Sequence, residues 1–249
     1  MKSDLSIDHE KNEISLEDNK SDRAAIALKA ALGIVPAVGS ILQEVVGVVI
    51  PNQKSERIKI FVEVLGQKIE HLEKEVIDAK MKTEEFTDLL EDALRQASRS
   101  LTDERREYIA TFLKNSLNSD ELDHIAEKKL LFLLSELNDV EIILLKYEAI
   151  HPEKRENFFD THKTVLMPVH THFGSSDSEL QKEHLHKSYK SKLEDLGLIE
   201  GKFNRLKKGE FPEMDEKTGA MKRTGVRITG LGVLLLKYID EKYDEDCFG

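Results

Sequence analysis

Residues 184–200, HLHKSYKSKLEDLGLIE, decide the fold of the C-terminal third. The first ten read as a helix that runs on to Leu196. Gly197 then stops it, because a glycine just past the last helical residue can take the left-handed conformation that closes a helix. Leu198-Ile199 follows without a spacer and reads as the first strand of a hairpin. Beyond it a polar stretch, Gly201–Arg223, leads to a second strand at Gly225–Thr229. Thr229-Gly230-Leu231-Gly232 opens a last helix, Val233–Tyr243, with Leu234, Leu235, Tyr238 and Ile239 as its apolar positions. Helix, strand, long polar loop, strand and helix make a module at 177–243, with an acidic tail at 244–249.

Upstream of that module the chain reads as helical. It has 249 residues, 5 prolines and no tryptophan, with helix-forming Leu, Glu, Lys and Ala abundant, so the fold class is mainly α. That length allows one large or two small domains, each with a core. Asn52–Lys82 is expected to be one long amphipathic helix. Ile58, Phe61, Val62, Leu65, Ile69, Leu72 and Val76 recur in it at three- and four-residue steps. Ser55 is its expected N-cap, and Gly66 is expected at a close helix crossing. A helical bundle follows at 83–150. Counting from the 52–82 helix, the second, Thr83–Arg99, has Phe86, Leu89, Leu90, Ala93 and Ala97 on one face. Thr102 caps the next, with Tyr108, Ile109, Phe112 and Leu113. Ser119 is expected to open a fourth, with Leu122, Ile125, Leu130, Leu131 and Leu134. Asn138-Asp139-Val140-Glu141 has the capping-box arrangement and starts a fifth, to about Tyr147. Short connections make successive helices neighbours.

The N-terminal third contrasts sharply. Ala24–Pro51, AAIALKAALGIVPAVGSILQEVVGVVIP, carries only Lys29 and Glu44 as charges in a chain that is 34% charged. Pro36 removes a backbone donor and divides the run into two short apolar helices. Together with the amphipathic helix these make a region 23–82. Gly33, Gly39 and Gly47 give small-residue spacing that lets helices approach closely. Three states fit: a buried hairpin, a hairpin that engages a membrane or a partner, and a constitutive span, which Lys29 and Glu44 disfavour. Residues 1–22 read as a disordered polar tail. They lack the basic start and apolar run of a secretory signal, so the expected location is the cytoplasm, with membrane association through the hairpin.

The residues give little for chemistry. There is one cysteine, Cys247, so no internal disulfide forms, which suits a reducing compartment. Residues 151–176 read as a linker with His151, His162, His170 and His172, without the cysteines or the His-Glu-x-x-His pattern that zinc sites use. Glu84, Glu85, Glu91 and Asp92 read as a solvated face, since carboxylate-bridged metal sites need Glu-x-x-His pairs on facing helices. No P-loop, dinucleotide fingerprint or nucleophile elbow occurs. The expectation is no catalytic residue, no cofactor, no metal and no small-molecule substrate. A protein partner or self-association is expected instead, with membrane and DNA as further partners.

Two resemblances follow from these motifs. LTDERREYIATFLKNSLNSDE (101–121) and KKLLFLLSELNDVEIILLKY (128–147) resemble a family of bacterial helical proteins found near phage-defence and abortive-infection functions. That likeness covers about a quarter of the chain and transfers no catalytic residue. Leu-Gly-Leu-Ile followed by Arg-Ile-Thr-Gly-Leu-Gly resembles the winged-helix family, over roughly Leu137–Tyr243 if the helices of 119–150 complete the core. This likeness implies a recognition helix bearing Lys187, Ser188, Lys190 and Lys192. It also implies a wing bearing Lys202, Arg205, Lys207, Lys208, Lys222 and Arg223. Asp177–Ile239 holds 13 basic against 10 acidic side chains, and the wing is interrupted by Glu210, Glu213, Asp215 and Glu216. Such a module docks either DNA or protein. The chain as a whole, at −11, does not suit coating nucleic acid over its entire surface. Two functions are carried forward: a non-enzymatic helical interaction or effector protein using the apolar hairpin, and a winged-helix DNA-binding regulator.

Overall fold

A computed structural model describes residues 52–118, 122–167, 171–172, 174–216 and 219–241. The polar tail, the apolar segment with Gly33, Pro36, Gly39 and Gly47, and Ser119, His170 and the acidic tail with Cys247 lie outside the described residues. The protein is mainly helical with one small two-stranded antiparallel sheet. It divides into two compact units, 1–132 and 133–249.

In the first unit, α1 (Asn52–Ile69), α2 (Lys74–Lys80), α3 (Glu84–Arg99) and α4 (Asp103–Asn118) precede α5 (His124–Glu136), inside which the division falls. Helix α1 packs on α3 and α4, and α2 packs on α4. The core is built from Phe61, Leu65, Leu89, Leu90, Ile109, Phe112 and Leu113, all essentially inaccessible to solvent. Each follows from helical periodicity, which aligns positions three and four apart on one face. The expected single helix over 52–82 is two. The chain leaves the helix after Ile69, and α2 turns Ile77 and Met81 inward while Val76 is exposed. No glycine or proline marks the break, so packing overrides propensity there. Ser55 lies within α1 and does not cap it.

Side-chain caps open α3, α4 and α5. Thr83 accepts the Phe86 N–H at 3.2 Å, and Thr102 accepts that of Arg105 at 3.3 Å. Helix α5 begins at His124, with the Asp123 carboxylate accepting the Ala126 N–H at 2.8 Å. Leu130, Leu131 and Leu134 are buried as expected, but Ile125 in the first turn is 78% exposed. Lys128 reaches from α5 to α3, 2.8 Å from Asp88 and 2.5 Å from Asp92. Its ammonium holds the Asp88 carboxyl below the usual range, and the two carboxylates hold Lys128 above its own. Glu84 and Glu85 are exposed, and Glu91 and Asp92 are half-buried and paired with Arg95.

The second unit contains α6 (Asp139–Ala149), a 3₁₀ turn at Pro152–Lys154, α7 (Arg155–Thr161), α8 (Lys163–Leu166), α9 (Asp177–Asp195), β1 (Ile199–Lys202), β2 (Gly225–Ile228) and α10 (Gly230–Ile239). Asn138 and Glu141 form the reciprocal capping box at the start of α6, at 2.9 and 2.8 Å. Helix α6 is central, packing on α8, α9, α10 and β2. The stretch 151–176, expected as a linker, carries α7 and α8. Arg155 docks them onto the end of α6: its Nε donates to the Ile150 carbonyl at 2.8 Å, Nη2 donates to that of Glu148 at 3.2 Å, and its guanidinium stacks 4.9 Å from the Tyr147 ring. Phe159 meets Tyr147 at 6.3 Å.

Gly197, at φ +71°, closes α9. The Leu198 N–H reaches the Leu193 carbonyl at 2.9 Å and the Gly197 N–H that of Glu194 at 2.8 Å, the paired bonds of a Schellman turn. Because the turn leads straight into β1, Leu198 and Ile199 are both buried. In the sheet Ile199 opposes Ile228, and Glu200 opposes Arg227. With side chains alternating between faces, the isoleucines point inward and the charged pair outward, joined at 2.7 Å.

Candidate functional site

The hairpin base is over-determined. Thr229 caps α10, accepting the Gly232 N–H at 3.1 Å, while its hydroxyl donates to the Gly197 carbonyl at 2.7 Å and its own N–H donates to that of Leu198 at 3.0 Å. A Cβ at position 232 would lie 2.3 Å from the Leu198 oxygen and 2.7 Å from Ile228 Cγ1. Only glycine lets the first turn of α10 sit this close to β1. At the outer end of the strands, Thr224 donates to the Lys202 carbonyl through its N–H at 2.8 Å and its hydroxyl at 3.0 Å.

The basic residues expected to contact DNA fall into two groups. On α9 two of the three are paired and the third is half-buried. Lys187 pairs with Glu183 at 2.5 Å. Lys190 is half-buried, and its charge acts on Glu148 and His186. Lys192 binds the α6 capping box, 3.4 Å from Glu141 with a further bond to the Glu136 carbonyl, so it is a brace between helices. Two wing cations are occupied as well. Arg223 Nη1 lies 2.6 and 2.8 Å from the Glu194 carboxylate oxygens, and its side chain crosses Gly201. Lys222 pairs with Glu213 at 3.2 Å.

Lys202, Arg205, Lys207 and Lys208 are different. All four are exposed, and among the described residues none makes an ion pair. The acid expected to interrupt them, Glu210, accepts the Lys207 N–H at 2.9 Å. Glu213 and Asp215 belong to a second small turn farther out, where Met214 bridges Met221 and the Asp215 N–H donates to the Ala220 carbonyl at 2.8 Å.

Sequence reasoning passed over the apolar side chains among these cations. Phe203, Leu206, Met214 and Met221 are exposed, and Phe211 is 90% exposed. The signal was in KFNRLKKGEF (202–211), where Phe and Leu alternate with charges too dense to bury. A second cluster, with His162 and His186 of the histidine-rich stretch, lies where α8 and α9 meet α6. His186 has its Nε2 sequestered from solvent without a partner. His162 packs 4.5 Å from the Phe158 ring. Burial, helped by Lys190 for His186 and by Lys146 for His162, holds both imidazoles below the usual histidine value. Burial pushes the Glu148 carboxyl up, against the pull of Arg155 and Lys190.

Among the described residues no group of His, Cys, Asp or Glu is placed to hold a metal ion, and no helix is long and apolar enough to cross a membrane. Comparison with family models, with curated proteins and with solved structures finds no match.

Proposed function

We propose that the chain is a non-enzymatic interaction protein of the effector type. In this reading its C-terminal unit is a winged-helix-like docking module, and residues 24–51, outside the described residues, are a second element that engages a membrane or partner. The observation that carries it is the division of charge in the C-terminal unit. Lys187 and Lys192 of α9 pair with neighbouring acids, whereas among the described residues the cations of 202–208 make no ion pair and stand beside exposed Phe and Leu. A duplex-reading helix would keep its basic side chains free for phosphates; α9 commits Lys187 and Lys192 to protein contacts. The place of α6 beside α9, β2 and α10 supports a compact winged-helix core starting near residue 137. A role in phage defence rests only on the resemblance within 83–150.

The alternative, a DNA-binding regulator, is favoured by the same four free cations, since a wing alone can reach phosphates. Two measurements on the full chain separate the readings. Membrane fractionation beside a chain lacking 24–50 is expected to find a clearly larger membrane-bound share for the intact protein than for the shortened, folded one. Salt-sensitive duplex binding lost in Lys207→Glu/Lys208→Glu would replace this reading with the regulator.

A further inference from the structure

We infer that the wing segment 202–211 is a contact for an anionic lipid surface. The inference rests on the interaction-protein reading but not on residues 24–51. Its premise is a combination found at one place in the described structure: four cations without an ion pair and three exposed large apolar side chains, Phe211 most of all, within ten residues of chain. Lys202, Arg205, Lys207 and Lys208 supply the charge; Phe203, Leu206 and Phe211 supply the apolar area.

Neither half suffices alone. A cationic loop with no apolar side chains would suit the phosphates of a duplex, but an exposed Phe211 and Leu206 gain nothing there. Bases of a single strand would stack on the two phenylalanines but not on Leu206. At a bilayer interface both halves are satisfied together: apolar side chains enter the acyl boundary while Lys and Arg stay at the anionic headgroups. Charge complementarity also sets the orientation. The chain is strongly acidic overall, so an anionic surface repels most of it and admits it through the wing. The occupied cations Arg223 and Lys222 hold the hairpin and its outer turn in shape and take no part in lipid contact.

The test uses the full chain with phosphatidylserine–phosphatidylcholine vesicles, pure phosphatidylcholine vesicles, and duplex and single-stranded oligonucleotides. Expected is sedimentation with the anionic vesicles only. Each cation near such a surface contributes enough for roughly fivefold in binding, so Lys207→Glu/Lys208→Glu is expected to weaken it by more than about tenfold. Leu206→Ser/Phe211→Ser is expected to weaken it by about tenfold through lost apolar burial. All four positions are exposed, so circular dichroism melts should match the parent. Lys82→Glu/Arg99→Glu, the same charge change on exposed positions of the first unit, is expected to bind as the parent does.

Parent-like binding by both wing variants overturns the inference, and if deletion of 24–50 then abolishes binding, the interaction reading stands without it. Equal loss in the first-unit control, or no binding to anionic vesicles at all, overturns it too. Wing-dependent capture of an oligonucleotide in place of vesicles overturns both this inference and the reading it rests on.

Discussion

Gly232 shows how one hydrogen atom in place of a methyl can hold a module together. Its α-carbon faces a carbonyl and a β-branched side chain that cannot both retreat, since the Leu198 oxygen already accepts the Thr229 N–H. Gly232→Ala is expected to cost about 2–3 kcal/mol, the upper part of the overpacking range, seen as a lowered urea midpoint; an unchanged midpoint would show that α10 can shift freely. Glu148 presents the opposite case. Its carboxyl is pushed up by burial, so the fold favours the protonated form. A raised folded value contributes stability that is present below the ordinary carboxyl pKa and lost as pH rises through the raised one. Glu148→Gln is therefore expected to raise the melting temperature at neutral pH, with the gain vanishing in acid. Arg155 keeps its two backbone carbonyls in that variant, and a loss of stability at pH 7 would mean that the ion pair outweighs the desolvation.

Helices α8 and α9 carry a second pH-sensitive contact. His186 and His162 are held neutral by burial with lysines nearby. For a depressed histidine the unfolded chain binds more protons, so stability is full above about 6.5 and falls as pH drops through that value. Urea unfolding is expected to weaken between pH 7.5 and 5.5, and His162→Gln/His186→Gln to flatten that slope; an equally steep slope in the variant would place the titration elsewhere. Helices α7 and α8, which flank His162, are where the sequence was least legible. Gly197, Thr229 and the Asn138–Glu141 box could be read directly, because capping chemistry is local. So could the stripe from Phe86 to Ala97, because helical periodicity is local too. Helices α7 and α8 could not, since they are held by Arg155 reaching back to carbonyls five and seven residues away and to Tyr147. The break after Ile69 carried no punctuating residue. The wing cations were legible as charges, but which were free depended on Glu194 and Glu213 coming to meet their partners in space.

Over the whole molecule, charge is arranged by position more than by amount. A net −11 gives long-range repulsion from anionic surfaces, so vesicle binding through 202–211 is expected to combine a short-range apolar part with a screened electrostatic one. Raising salt from below physiological strength to several times above it shortens the Debye length from beyond about 10 Å to a few ångströms. Binding by the parent is expected to fall markedly over that range, and the residual binding of Lys207→Glu/Lys208→Glu to change far less; a salt-insensitive parent would assign its binding to apolar contact alone. The double closure of the hairpin, by Thr229 and Gly232 at one end and Thr224 at the other, has an evolutionary consequence. Loop closure costs only about 0.6 kcal/mol for each doubling of length, so residues 203–221 can lengthen, shorten or change composition while the base stays shut. A lineage carrying this scaffold is free to retarget it by rewriting one loop, and divergence among descendants should concentrate there while Gly197, Thr229 and Gly232 stay fixed.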